Sequence, residues 1–257
     1  MQQQIQFLNH RDEKLAGTLH APTEPSRFGI VFGHCFTCSR HTSILRWIST
    51  ALVEEGFTVL GFDFSGNGQS EGSFSESFCS KQVVEMKIAA AFMWARGISW
   101  LGLGGHSMGA LVAMLAASET DSVKAVCTLG ARTSGPTVSD FLTDTQVDEL
   151  RKTGRVPFTS RGRLLELKRE FFGDAAQYDL PAVVGFLRQP LLVVHGEKDE
   201  IIPVDEAYKL RQAKPVDTEL AIISGADHMF SLEAHRRQVA DLVVQWFKGL
   251  ASKDELQ

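Results

Sequence analysis

The stretch ISWLGLGGHSMGALVAMLAAS, residues 98–118, decides the fold. It opens as a short apolar run of the kind a buried strand needs and closes as an apolar run of helical length. Between them, Gly105, Ser107 and Gly109 form G-x-S-x-G. A sharp strand-to-helix turn wants small residues on either side of the serine, because the backbone there is strained and its neighbours must not clash. Such a turn lifts the serine hydroxyl to a helix N-terminus, where free N–H groups and the helix dipole favour developing negative charge. Glycine-rich strand-to-helix turns also cradle phosphates, so the rest of the chain must decide what this one serves.

Outward from this turn, the same alternation repeats. FGIVFGH (28–34) reads as a strand buried on both faces. SILRWISTALVEEG (43–56) follows, with Ile44, Trp47, Ile48, Ala51 and Leu52 at helical spacing and Gly56 as a stop. FTVLGFD (57–63), KQVVEMKIAAAFMWARG (81–97) and VKAVCTLGA (123–131) read as strand, helix and strand. QPLLVVHGEKD, VDEAYKLRQAK, TELAIIS and EAHRRQVADLVVQWFKGL resume the rhythm from residue 189. QQIQFLN and KLAGTLHAP, near the N-terminus, alternate as a hairpin would. The predicted class is α/β, a mostly parallel central sheet with helices on both faces.

The alternation fails only over 132–187, which is charged and irregular. TGRVPF (153–158) predicts a turn and short strand, and LLELKREFFGDA (164–175) a helix. The segment is too long for a plain loop. The expectation is a core of residues 1–131 and 188–257, with 132–187 inserted as a lid over the strand ends, where such sheets bind ligands. Phe141, Leu142, Phe158, Phe171, Phe172, Tyr178 and Phe186 give it apolar surface. Arg151, Lys152, Arg155, Arg161 and Arg163 are interspersed with acids and read as a solvated face.

A serine needs a base and an orienting acid. Asp199 falls just past the strand LLVVHG, and His228 just past LAIIS. His106 neighbours the serine but points away in a normal turn, and His195 ends its strand as a packing residue. The order Ser107, Asp199, His228 is that of the α/β-hydrolase triad.

Composition is ordinary: 44% hydrophobic, 22% charged, net charge −5, which argues against a nucleic-acid partner. No run approaches the ~20 apolar residues of a membrane helix, and the N-terminus lacks the pattern of a signal peptide. The expectation is a cytoplasmic protein with reduced thiols and no membrane partner. KDEL at 253–256 precedes Gln257 and reads as a charged, frayed tail.

The pieces GHCFTCS, GFDFSGNGQSEG, GHSMGA, YDLPAVVGFLRQPLLVVHGEKDEIIPV and GADHMF resemble the α/β-hydrolase superfamily, in particular lidded esterases related to serine aminopeptidases, feruloyl esterases and monoacylglycerol lipases. HCFTCS is similar to the hydrolase half of fusions with an osmotically inducible peroxidase, although no such second domain is expected here. The resemblance implies an oxyanion hole made by the backbone N–H groups of Phe36 and Met108, Asp63 and Ser70 as structural residues, and no cofactor or metal. His34, Cys35, Cys38 and His41 also permit a metal reading, and Cys35-x-x-Cys38 a redox one, but two buried small thiols are the plainer expectation.

The function expected is a serine carboxylesterase acting on a small-molecule ester. Alternatives are a peptidase, amidase or thioesterase of the same fold, a non-catalytic ligand-binding module, and a thiol-linked role. A homodimer is left open.

Overall fold

The computed structural model describes residues 1–255. In chain order the strands are β1 (Gln2–Leu8), β2 (Lys14–His20), β3 (Phe28–Gly33), β4 (Thr58–Phe62), β5 (Trp100–His106), β6 (Val123–Leu129), β7 (Arg155–Ser160), β8 (Arg163–Lys168), β9 (Leu191–Gly196) and β10 (Thr218–Ile223). The helices are α1 (Ser43–Glu54), α2 (Cys79–Trp94), α3 (Met108–Ser118), α4 (Asp144–Thr153), α5 (Arg169–Ala175), α6 (Leu180–Phe186), α7 (Asp205–Ala213) and α8 (Glu233–Glu255).

Eight strands form the central sheet in the order β1-β2-β4-β3-β5-β6-β9-β10. The hairpin β1–β2 is antiparallel and joins β4 antiparallel; from β4 to β10 every pairing is parallel. The sheet is therefore mostly parallel, as the alternation of apolar runs implies, and the chain has the α/β-hydrolase fold that the resemblance implies.

Both faces are covered. Ile44, Leu45, Ile48 and Leu52 of α1 share one core with Val239, Val243 and Phe247 of α8. The opposite core takes α2 and α3, and every residue of α3 from Met108 to Ala117 is buried. A helix apolar all round belongs inside, which explains why its pattern lacks a polar face. β5 is buried throughout and sits at the centre, so the turn at its end opens where β3, β5 and β6 finish side by side.

Residues 132–187 leave the sheet after β6 and return at β9. They hold α4, a β7–β8 hairpin, α5 and α6. The predicted helix over 164–175 is corrected here: Arg163–Lys168 is strand, paired antiparallel with β7, and helix begins at Arg169. The pairing decides it, and within it Leu165 and Leu167 face one side while Leu164 is exposed. α5 packs on α2, and α6 on α3 and α7. The predicted frayed tail is helical as far as Glu255; Leu256 and Gln257 lie outside the described residues. Among the described residues, no helix is long and apolar enough to cross a membrane.

Candidate active site

Ser107 sits between β5 and α3 at φ 57, ψ −114, a region that non-glycine residues rarely occupy. Its N–H donates to the Leu129 carbonyl of β6 at 2.8 Å, which holds the bend. The flanking glycines are needed for space: a Cβ on Gly105 would collide with the Gly109 backbone, and one on Gly109 with the Gly33 carbonyl. The Ser107 hydroxyl has no hydrogen-bond partner among the described residues and faces a cavity of about 510 Å³.

His228 lines the same cavity. Its Nδ1–H donates to Asp199 Oδ2 at 2.7 Å, and its backbone N–H to Glu200 at 3.2 Å. Asp199 Oδ1 accepts the N–H groups of Ile201 and Ile202 at 2.9 and 2.7 Å. Burial alone would raise the Asp199 pKa, but hydrogen bonds from His195 and His228, the imidazole charge and the Ile202 N–H outweigh it and hold the carboxyl well below its usual range. Asp199 is therefore an anion that directs the proton of His228 to Nδ1 and leaves Nε2 as the basic nitrogen.

Two histidines have closer roles than the sequence suggests. His195 is fully buried, with Nε2 2.9 Å from the Ile202 carbonyl and 3.3 Å from Asp199 Oδ2. Because a carbonyl only accepts, Nε2 carries the proton and shares it with the carboxylate. His106 is also buried, its Nε2 donates to the His228 carbonyl at 2.8 Å, and its ring lies 4.8 Å from the His228 ring. Burial, with His228 beside it, pushes its pKa down to about 3, so it stays neutral. The available signal was position: each ends a buried strand beside the site.

The loop after β3 is pinned. The Cys35 carbonyl accepts from His34 Nδ1 at 2.7 Å and from the Cys38 N–H at 3.0 Å. His34 Nε2 accepts the Phe64 N–H at 3.1 Å, which fixes the tautomer. The Phe36 ring sits among Phe74, Phe141, Phe158 and Phe171, with centroids 4.7 to 6.0 Å away. A trans peptide points its N–H opposite to its carbonyl, so anchoring the Cys35 oxygen turns the Phe36 N–H away from that anchor. Among the described residues neither the Phe36 nor the Met108 N–H has an acceptor.

Cys35 and Cys38 correct the expectation of two reduced thiols. They are joined in a disulfide, with Cα atoms 5.2 Å apart, because the tight turn brings them within bonding reach. Cys79 and Cys127 are free, buried, and raised in pKa by that burial. His34, Cys35, Cys38 and His41 do not converge as metal ligands: the sulfurs bond each other and both His34 nitrogens are engaged. Asp63 is buried against Arg40 and accepts the Arg40 and Gln69 N–H groups at 2.7 and 2.9 Å, and the Ser70 hydroxyl donates to its carbonyl at 2.5 Å.

From 132–187, Arg132, Pro136, Asp140, Phe141, Phe158, Ser160 and Arg161 reach the cavity. Leu142 and Phe171 are buried, Phe172 and Tyr178 half-buried, and Phe186 is 87% exposed. Only Phe141 and Phe158 of the seven apolar residues noted there line it.

The model of the alpha/beta hydrolase fold family matches residues 30–155. An esterase domain from a Rhodothermus marinus protein is similar, with a TM-score of 0.75 and 28% identity over 96% of this chain and 97% of that one. Est1E from Butyrivibrio proteoclasticus, solved with ferulic acid, has a TM-score of 0.76 at 22% identity over 98% of this chain and 100% of that one. The human protein ABHD12B is 26% identical over 70% of this chain and 48% of its own length. The chain thus spans about half the length of the curated relatives it matches, 48% and 43% of the first two. With β5, its glycine-flanked serine turn and the sheet order already described, these likenesses show that the chain has the α/β-hydrolase fold.

Proposed function

We propose that the chain is a serine carboxylesterase with Ser107 as nucleophile, His228 as general base and Asp199 as its orienting acid. One observation carries the reading: a strained, unpartnered Ser107 shares a cavity with a His228 whose Nδ1 is bound to Asp199 at 2.7 Å. His228 Nε2 takes the proton of Ser107 as its oxygen attacks the ester carbonyl. The N–H groups of Phe36 and Met108 stabilise the oxyanion, each contributing on the order of 10² to 10³ in rate. His228 passes its proton to the leaving alcohol and then activates the water that releases the acid. None of these steps requires a metal or cofactor.

The segment 132–187 acts as a lid that closes one side of the cavity through Phe141, Phe158 and Arg161. Apolar walls from Phe36, Met108, Leu111, Phe141 and Phe158 suit an acyl chain or aryl ring. The 28% identity to an esterase domain supports ester hydrolysis as the reaction.

A second reading, a peptidase for substrates with a free amine, is favoured by Glu200, a carboxylate in the cavity wall beside His228. Hydrolysis of alanine p-nitroanilide faster than of p-nitrophenyl esters would select it.

The test compares wild type with Ser107→Ala on p-nitrophenyl acetate, butyrate and octanoate. The expected loss in turnover is roughly 10⁴-fold or more. Undiminished hydrolysis by Ser107→Ala would remove Ser107 from the mechanism.

A further inference from the structure

A second cavity meets the first, and Thr37, Cys38, Arg161 and Met229 belong to the walls of both. Its lining holds three arginines, Arg161, Arg163 and Arg236, together with His41, and among the described residues no aspartate or glutamate. The local charge is thus opposite in sign to that of the whole chain, which is −5.

Among the described residues, the three guanidinium groups have no carboxylate partner. Arg151 pairs with Asp148 and Arg155 with Glu166, so the basic residues around them on α4 and β7 are an ordinary solvated face, as the sequence suggests. Arg161 and Arg163 depart from that expectation. Arg161 contacts Met229 Sδ at 3.5 Å, and Arg163 donates to the Gly66 carbonyl at 3.3 Å. Arg236 donates to the Phe230 and Ser231 carbonyls at 3.1 and 2.5 Å, while among the described residues its buried Nε has no partner. Each guanidinium carries five N–H donors, so spare donors remain on all three.

The backbone directs this arrangement. Ser160 pairs with Arg163, leaving a two-residue turn of Arg161 (φ 50) and Gly162 (φ 72). That primed turn favours Asn, Asp or Gly at its first position, yet it holds an arginine. The Ser160 hydroxyl is 2.8 Å from that of Thr37, which ties the hairpin tip to the loop carrying Phe36. The tip therefore sits at the junction of the two cavities, with Arg161 between them.

We infer that this basic annexe is a specificity subsite, and that the ester cleaved at Ser107 carries an anionic group, carboxylate or phosphate, held by Arg161, Arg163 and Arg236. Planar guanidinium forks suit both anions. The inference rests on the esterase reading of the Ser107 cavity and adds the class of substrate.

Three matched pairs test it. 4-Nitrophenyl hydrogen glutarate against 4-nitrophenyl pentanoate puts a carboxylate on the acyl side. 4-Acetoxybenzoate against its methyl ester puts one on the alcohol side. Butyryl-coenzyme A against the butyryl thioester of N-acetylcysteamine presents phosphates. The expected result is at least one pair in which kcat/KM favours the charged member about tenfold at low salt, a preference that falls about tenfold in the double variant Arg163→Gln, Arg236→Gln and weakens as salt rises. The pair that responds identifies the anion and its side. Preference for the neutral member in all three pairs, or a charged preference that the double variant leaves intact, overturns the inference.

A binding measurement separates this outcome from failure of the esterase reading. Pyrophosphate is titrated calorimetrically into wild type, Ser107→Ala and the double variant. Binding by the first two that weakens about tenfold in the third supports the annexe even where no ester turns over. Equal binding by all three, or none, counts against it.

Discussion

His106 shows how much one buried side chain can carry. Its Nε2–H holds the carbonyl of His228, and its ring backs the His228 ring, so it bears on the proposed base without reaching the cavity. Its pKa is depressed from 6.5 to about 3, chiefly by burial. The folded state therefore favours the neutral ring, and that contribution is complete above about pH 6.5 and lost as pH falls toward 3. His106→Gln keeps a donor and removes the titration. The difference in Tm between wild type and this variant should be largest near neutral pH and shrink across that window. A difference independent of pH would show that titration of His106 plays no part. Sequence reasoning singled out Ser107, Asp199 and His228 because each follows a strand that could be read from its apolar run. It assigned His106 and His195 no contact with them, because a hydrogen bond from a ring to a carbonyl 122 residues away leaves no local pattern.

Among elements, the loop after β3 was legible as a turn following a buried strand but not as a cross-linked one. Nothing in a C-x-x-C spacing separates two packed thiols from a bonded pair; the turn sets the Cα separation at 5.2 Å, within the range that permits the bond. The bond closes the turn whose carbonyl anchors the Phe36 peptide. Cys35→Ser, Cys38→Ser, or dithiothreitol added to wild type should lower kcat roughly 3- to 10-fold while KM changes less, since a displaced donor is felt most in the transition state. Equal kcat for the oxidised and reduced protein would separate the disulfide from catalysis. The inner parallel strands were legible because they are buried on both faces and read as continuous apolar runs. β8 was not, because LLELKREFF satisfies strand and helix periodicity over so few residues, and only its pairing with β7 decides between them.

At the scale of the molecule, the two proposed oxyanion donors are carried by neighbouring strands. Phe36 follows β3, Met108 follows β5, and these strands pair in register with Gly33 opposite Gly105. Gly109 at the start of α3 lies against the Gly33 carbonyl, so the approach of the two chains is fixed by contact as well as by hydrogen bonds. The separation of the donors is thus a property of the sheet, whose strand spacing is about 4.8 Å in any protein. The sheet serves as a ruler and the loops only read from it. Heating should then leave the rate following a single activation trend until the sheet itself melts, with esterase activity and the far-ultraviolet circular dichroism of the strands lost over the same few degrees. Activity lost well before the strands would instead place the weakest joint in the segment 132–187, and the machinery would be only as durable as its cover.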